Sequence, residues 1–186
     1  MNVRECNPSI RKVYKILAII SLVIMIGTSI YGIVASLIQG VEVVGETLVT
    51  IEFPYISAFP LFYAKPVTWM VASLITFTFT MLELNKKRIA KIRKPIRDFL
   101  RFFLFFVGAM ALYEVMFNFT LWSGLISAAE IRGELNPDLI KNPFPNPKTP
   151  WNIVFATKFF TVLTVLAFYG FYFLQRLDTE ELKSEA

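Results

Sequence analysis

Four stretches of this chain are so long and so apolar that they restrict the fold to helices crossing a membrane. They cover residues 16–38, 67–84, 99–121 and 151–174. A hydrocarbon core of about 30 Å is crossed by roughly 20 helical residues rising 1.5 Å each. Inside that core every backbone N–H and C=O must be satisfied within the protein, which a helix does by itself. The composition agrees, with 55% hydrophobic and only 18% charged residues, where a soluble domain carries about 25% charged. The sequence therefore predicts an all-α membrane protein, a single polytopic domain over 1–186 built as a four-transmembrane-helix bundle. Arg11, Lys12 and Lys15 precede the first run, as they would in a signal peptide. That run, however, exceeds the roughly 7–15 apolar residues of a signal core, so it is expected to remain as the first helix.

Charge sets the expected orientation. Arg4, Arg11, Lys12 and Lys15 precede the first span against Glu5 alone. The basic loop 85–98 and its flanks hold Lys86, Lys87, Arg88, Lys91, Arg93, Lys94, Arg97 and Arg101, opposed only by Glu83 and Asp98. The outer loops 39–66 and 122–150 show no such excess. The positive-inside rule then places the N- and C-termini and the basic loop in the cytoplasm, in the plasma membrane. The net charge of +5 follows from this asymmetry and does not point to nucleic acid. Ile89, Ile92 and Ile96 recur at helical spacing among these bases. That makes Lys86, Lys87, Arg88, Lys91, Arg93 and Lys94 a candidate lipid-facing patch, beside the plainer reading of a topogenic loop. Pro95 either ends that helical stretch or opens the third span.

The outer loops carry their own signals. Partial apolar–polar alternation across 41–53, around Gly45, predicts a short β-hairpin as part of an outer cap. Residues 54–66 are rich in aromatics and proline and suit the headgroup interface. Pro137, Pro143, Pro145, Pro147 and Pro150 favour an extended strap in the second outer loop, docked on the protein itself or on a partner. Trp151 then opens the last helix, and residues 178–186 read as a solvated acidic tail.

Polar residues inside the spans are the candidate site. Thr28, Gly32 and Ser36 form a small-residue stripe for close helix approach. Ser73, Thr76, Thr80 and Glu83 line one side of the second helix, and Thr157, Thr161 and Thr164 line the fourth. Such hydroxyls either border a polar path or bond within the helices. Glu114 lies about 22 Å along the third helix from its cytoplasmic end, and Lys158 about 10 Å down the fourth from outside. In a core of about 30 Å these depths nearly coincide. An isolated charge at that depth costs about 2.5–3.5 kcal/mol on insertion scales, which favours pairing. Glu114, Asn118 one turn above it, and Lys158 therefore form a candidate intramembrane polar site. It reads as a static ion pair, as a substrate or proton site, or as two groups that part, with Lys158 reaching the headgroups.

No catalytic, cofactor-binding or metal-binding set emerges. The chain has no histidine and one cysteine, Cys6, which removes the usual zinc and haem ligands and any intrachain disulfide. No phosphate loop, dinucleotide fingerprint or nucleophile elbow is present. The expected function is a non-catalytic accessory or scaffolding subunit of a larger membrane complex, in contact with lipids and with other membrane subunits or copies of itself. The alternatives are a small transporter or channel working through Glu114 and Lys158, or a quinone-reactive redox subunit.

Overall fold

The computed structural model describes residues 8–40, 44–50, 65–133 and 151–185. Six helices follow in order: α1 (Pro8–Gln39), α2 (Val44–Thr50), α3 (Pro66–Leu84), α4 (Lys86–Ala90), α5 (Lys94–Ile131) and α6 (Trp151–Glu185). Among the described residues there are no strands. The four long helices, α1, α3, α5 and α6, are long and apolar enough to cross a membrane.

The helix limits have local causes. Pro66 opens α3 and Pro95 sits in the first turn of α5, positions where the missing N–H has no intrahelical partner to lose. Gly40 and Gly133 follow the ends of α1 and α5 with φ of 64° and 69°, a left-handed turn that side chains with a Cβ resist. Both of the last two spans outrun their apolar cores. With 38 and 35 residues, α5 and α6 are about 57 and 52 Å long, well beyond the hydrocarbon thickness. The expected acidic tail is thus the last turns of α6 as far as Glu185.

The long helices stand in a row. α1 packs on α3, α3 on α6, and α6 on α5, while α1 and α5 lie at opposite ends without a substantial mutual contact. Tyr14 near the start of α1 meets Phe79 near the end of α3, with ring centroids 5.9 Å apart, so these two run antiparallel. Antiparallel α5 and α6 meet where Gly108 faces Phe168 and Leu104 faces Gly170. A Cβ on Gly108 would stand 3.1 Å from the Phe168 ring, so the glycine sets how closely the pair approaches. The central seam is parallel: Phe79 and Tyr169 place their rings 4.8 Å apart.

Residues 44–50 correct the expected β-hairpin, for they form the helix α2. The rest of that hairpin, the aromatic stretch 54–64 and the proline strap lie outside the described residues. The reason for the helix is burial. Val44 and Leu48, four apart, fall on one face and meet the same glycine of α1, Gly32. Leu48 and Val49 enter a core with Val67, Met70 and Val71 of α3 and Val154 and Phe155 of α6. A strand would have sent Leu48 and Val49 to opposite faces.

The stripe of Thr28, Gly32 and Ser36 is buried, as are Ala18 and Ser21 lower on α1. A Cβ on Gly32 would come within 2.5 Å of Leu48 Cδ2. Gly32→Val should therefore push α2 away and destabilise the protein by about 1–3 kcal/mol. Gly27→Val, where an added Cβ meets nothing within 4 Å, should be nearly neutral by comparison. Thermal melting of both variants in detergent, followed by the loss of monodisperse protein, checks the difference.

Candidate functional site

The polar groups within the spans separate where the depth reckoning brought two of them together. Lys158 Nζ donates to Thr68 Oγ1 of α3 at 3.2 Å. Lys158 is thereby on the face of α6 that also carries Tyr169 and Arg176, both of which reach Glu83 of α3. The residues of α6 that meet α5 are others, including Phe168, Phe171 and Asp178. The α5–α6 register set by Gly108 and Gly170 brings Asn118, not Glu114, level with Lys158. Glu114 is one turn, about 6 Å, nearer the α4 end. It is half-buried, and among the described residues it makes no ion pair or hydrogen bond. Asn118 is buried on α5. The expected Glu114–Lys158 ion pair is therefore absent, because helix rotation turns Lys158 toward α3.

The hydroxyl stripes bond within their own helices. Thr80 Oγ1 donates to Thr76 O at 2.9 Å and Thr164 Oγ1 to Phe160 O at 2.8 Å. Ser73, Thr76, Thr157 and Thr161 do likewise with carbonyls three or four residues back. Each hydroxyl is satisfied without a partner helix. Glu83, the acid that ends the α3 stripe, behaves differently and leads to the strongest polar cluster in the molecule.

That cluster lies at the α4 end. The Glu83 carboxylate, 8% exposed, accepts from Arg176 at 2.5 Å and from the Tyr169 hydroxyl at 3.0 Å. The Arg176 guanidinium also sits 5.4 Å over the Phe173 ring, a favourable place for a cation. Lys86 of α4 pairs with Glu180 at 2.7 Å. Arg97, only 3% exposed, lies at the centre. It donates to the Ala90 carbonyl at 3.1 Å, pairs with Asp178 at 3.1 Å, and contacts Glu181 as well. Asp178 bridges, since its other oxygen meets Arg101 at 3.1 Å, and Arg101 also reaches Asp98. Beneath these charges Ala90 packs with Phe173, Leu174 and Leu177, so the turn after α3 is clamped onto α6.

The sequence reading missed this cluster by treating residues 178–186 as solvated and the basic loop as one uniform patch. Lys86 belongs to the clamp, whereas Arg88, Lys91, Arg93 and Lys94 are exposed. Lys87 is exposed too and has a contact of its own. The available signal was spacing: Arg97 and Arg101 lie one turn apart, as do Asp178 and Glu181, at facing ends of adjacent helices. Chemically the arrangement holds helices together and neutralises buried charge. Comparison with protein-family models, curated proteins and solved structures finds no match to this chain.

Lys158→Met should be tolerated or mildly stabilising, because its only described partner is a hydroxyl and no acid is left stranded. A drop of about 3–5 kcal/mol, the usual cost of orphaning a buried ion, would instead reveal a paired carboxylate; the detergent melting curve distinguishes them. Arg97→Ala should cost about 3–5 kcal/mol, since it leaves Asp178 and Glu181 facing each other with one fewer cation. Exposed Lys94→Ala should stay within about 0.5 kcal/mol.

Proposed function

We propose that this chain is a non-catalytic integral membrane protein serving as an accessory or scaffolding subunit of a larger membrane assembly. In this reading it resides in the plasma membrane with both chain ends cytoplasmic, and α2 is part of a small outer cap. The observation that carries the reading is the unpacked side of α5. α5 stands at the end of the row, and among the described helices α6 is its one substantial neighbour. Away from α6 it presents Phe99, Phe102, Phe106, Tyr113 and Phe117, each at least half exposed. Two neighbouring pairs on that side, Phe99 with Phe103 and Tyr113 with Phe117, stack with centroids 6.4 Å apart.

Stacked rings have few rotatable bonds and lose little freedom when another helix packs on them. In lipid, where apolar surface alone gives no drive to associate, such close packing is one of the forces that hold helices together. The polar groups add support, because those of the α4 cluster hold the chain's own helices together and the stripe hydroxyls are satisfied by their own backbone.

The test is gentle-detergent purification of the tagged chain from its native membrane, with mass spectrometry of what remains bound. A stoichiometric membrane complex is expected. Phe102→Ala combined with Phe106→Ala should remove most of that partner while the chain's own abundance holds. Elution of the wild-type chain alone, or only with copies of itself, would sink the reading.

A further inference from the structure

Setting aside Lys87, which has a contact of its own, the basic residues around α4 fall into two populations. One points inward and is neutralised: Lys86 by Glu180, Arg97 by Asp178 and Glu181, Arg101 by Asp98 and Asp178. Together with Glu83, which takes Arg176, these pairs engage all the acids of this end whose contacts the structure describes. The other population is Arg88, Lys91, Arg93 and Lys94, all exposed. None of the four forms an ion pair with a described residue. A topogenic role needs only the total number of bases, and it does not require four to be left exposed and without counter-charge.

What lies beside them identifies the counter-charge. Directly below, on the opening turns of α5, Ile96 is 50%, Phe99 65% and Phe102 67% exposed. From Lys94 to Phe99 the helix rises about 7 Å. Lys94, and Arg93 at the N-cap before it, therefore stand at the height of phospholipid headgroups when the phenylalanines occupy hydrocarbon, and Arg88 and Lys91 lie on α4 and its C-cap just before them. A soluble acidic protein would match the cations but would not reach the rings, which stand at hydrocarbon depth. An anionic phospholipid matches both, with its phosphate against the guanidinium and ammonium groups and its acyl chains along Ile96 and Phe99. We propose that Arg88, Lys91, Arg93 and Lys94, with the adjoining face of α5, form a binding surface for anionic phospholipid in the leaflet that the α4 end faces. The surface shares Phe99 and Phe102 with the face proposed above for a partner helix, and reconstituting the chain alone separates the two.

The experiment reconstitutes the full chain into vesicles of equal phosphatidylcholine and phosphatidylglycerol, extracts it gently, and identifies retained lipid by native mass spectrometry. Wild type should retain phosphatidylglycerol preferentially. Substituting all four bases with glutamine (R88Q, K91Q, R93Q, K94Q) should bring the two lipids toward parity, each base removed costing about fivefold in the preference. Lys86→Gln, which removes a base already paired with Glu180, should keep the wild-type preference. Parity in wild type, or an undiminished preference in the quadruple variant, overturns the proposal. If the quadruple variant does not accumulate, the wild-type preference is measured in about 1 M salt, where screening shortens to about 3 Å. Its collapse supports the surface and its persistence overturns it. An acidic protein that is lost with the four bases, while the lipid preference stays at the wild-type level, assigns the surface to that protein and overturns the lipid.

Discussion

A guanidinium buried among helices must find its counter-charges there, and Arg97 organises one end of this molecule for that reason. Almost without solvent contact, it draws on the Ala90 carbonyl at the end of α4, and on Asp178 and Glu181 in the last turns of α6. Desolvating such a cation costs several kcal/mol unless its partners are in place. The requirement fixes three things together: the position of the α4 turn, the register of α5 against α6, and the continuation of α6 past its apolar stretch. Asp178 passes the constraint on to Arg101. The neighbouring Glu83–Arg176 pair brings α3 into the same end. The ion pairs add to the glycine contacts of Gly108 and Gly170 in holding α5 against sliding along α6.

The spans were legible because length and apolarity are one-dimensional quantities. Their ends were less so. α5 begins at Lys94, so Pro95 opens the span as one of its two readings had it, whereas hydrophobicity alone marks only the run from residue 99 and overlooks that helical spacing places Arg97 on the buried face. α2 was misread for a related reason. The alternation around Gly45 is genuine, yet the groove at Gly32 and the core around Val67 and Phe155 favour a helix, and neither can be seen from residues 41–53 alone. Tertiary burial overrode a local period, as is common for short apolar segments.

The candidate site illustrates a second limit. Depth along a helix follows from counting residues, and it brought Glu114 and Lys158 close in height. Rotation about the axis also depends on which neighbour each face meets, which counting does not contain. The α5–α6 register and the turn of Lys158 toward Thr68 are decided by glycine contacts and by the row arrangement. The clamp at the α4 end was written in the sequence as two complementary pairs one turn apart. Nothing in one dimension said that those two turns face each other.

A row of helices, unlike a ring, has a weakest plane. Here it is the parallel seam between α3 and α6, where contact is less extensive than within either antiparallel pair. The seam is fastened by Lys158 to Thr68 near one end and by Arg176 to Glu83 at the other. Between these polar links the seam also holds apolar contacts, with Val67 of α3 beside Val154 and Phe155 of α6 around α2, and Phe79 against Tyr169. Separating the two antiparallel pairs there would open the core around Leu48 and Val49 and break the contacts of Ala90 and Lys86 with α6. The order in which the four helices stand thus makes the two short ones, α2 and α4, the staples across the seam where the long helices touch least.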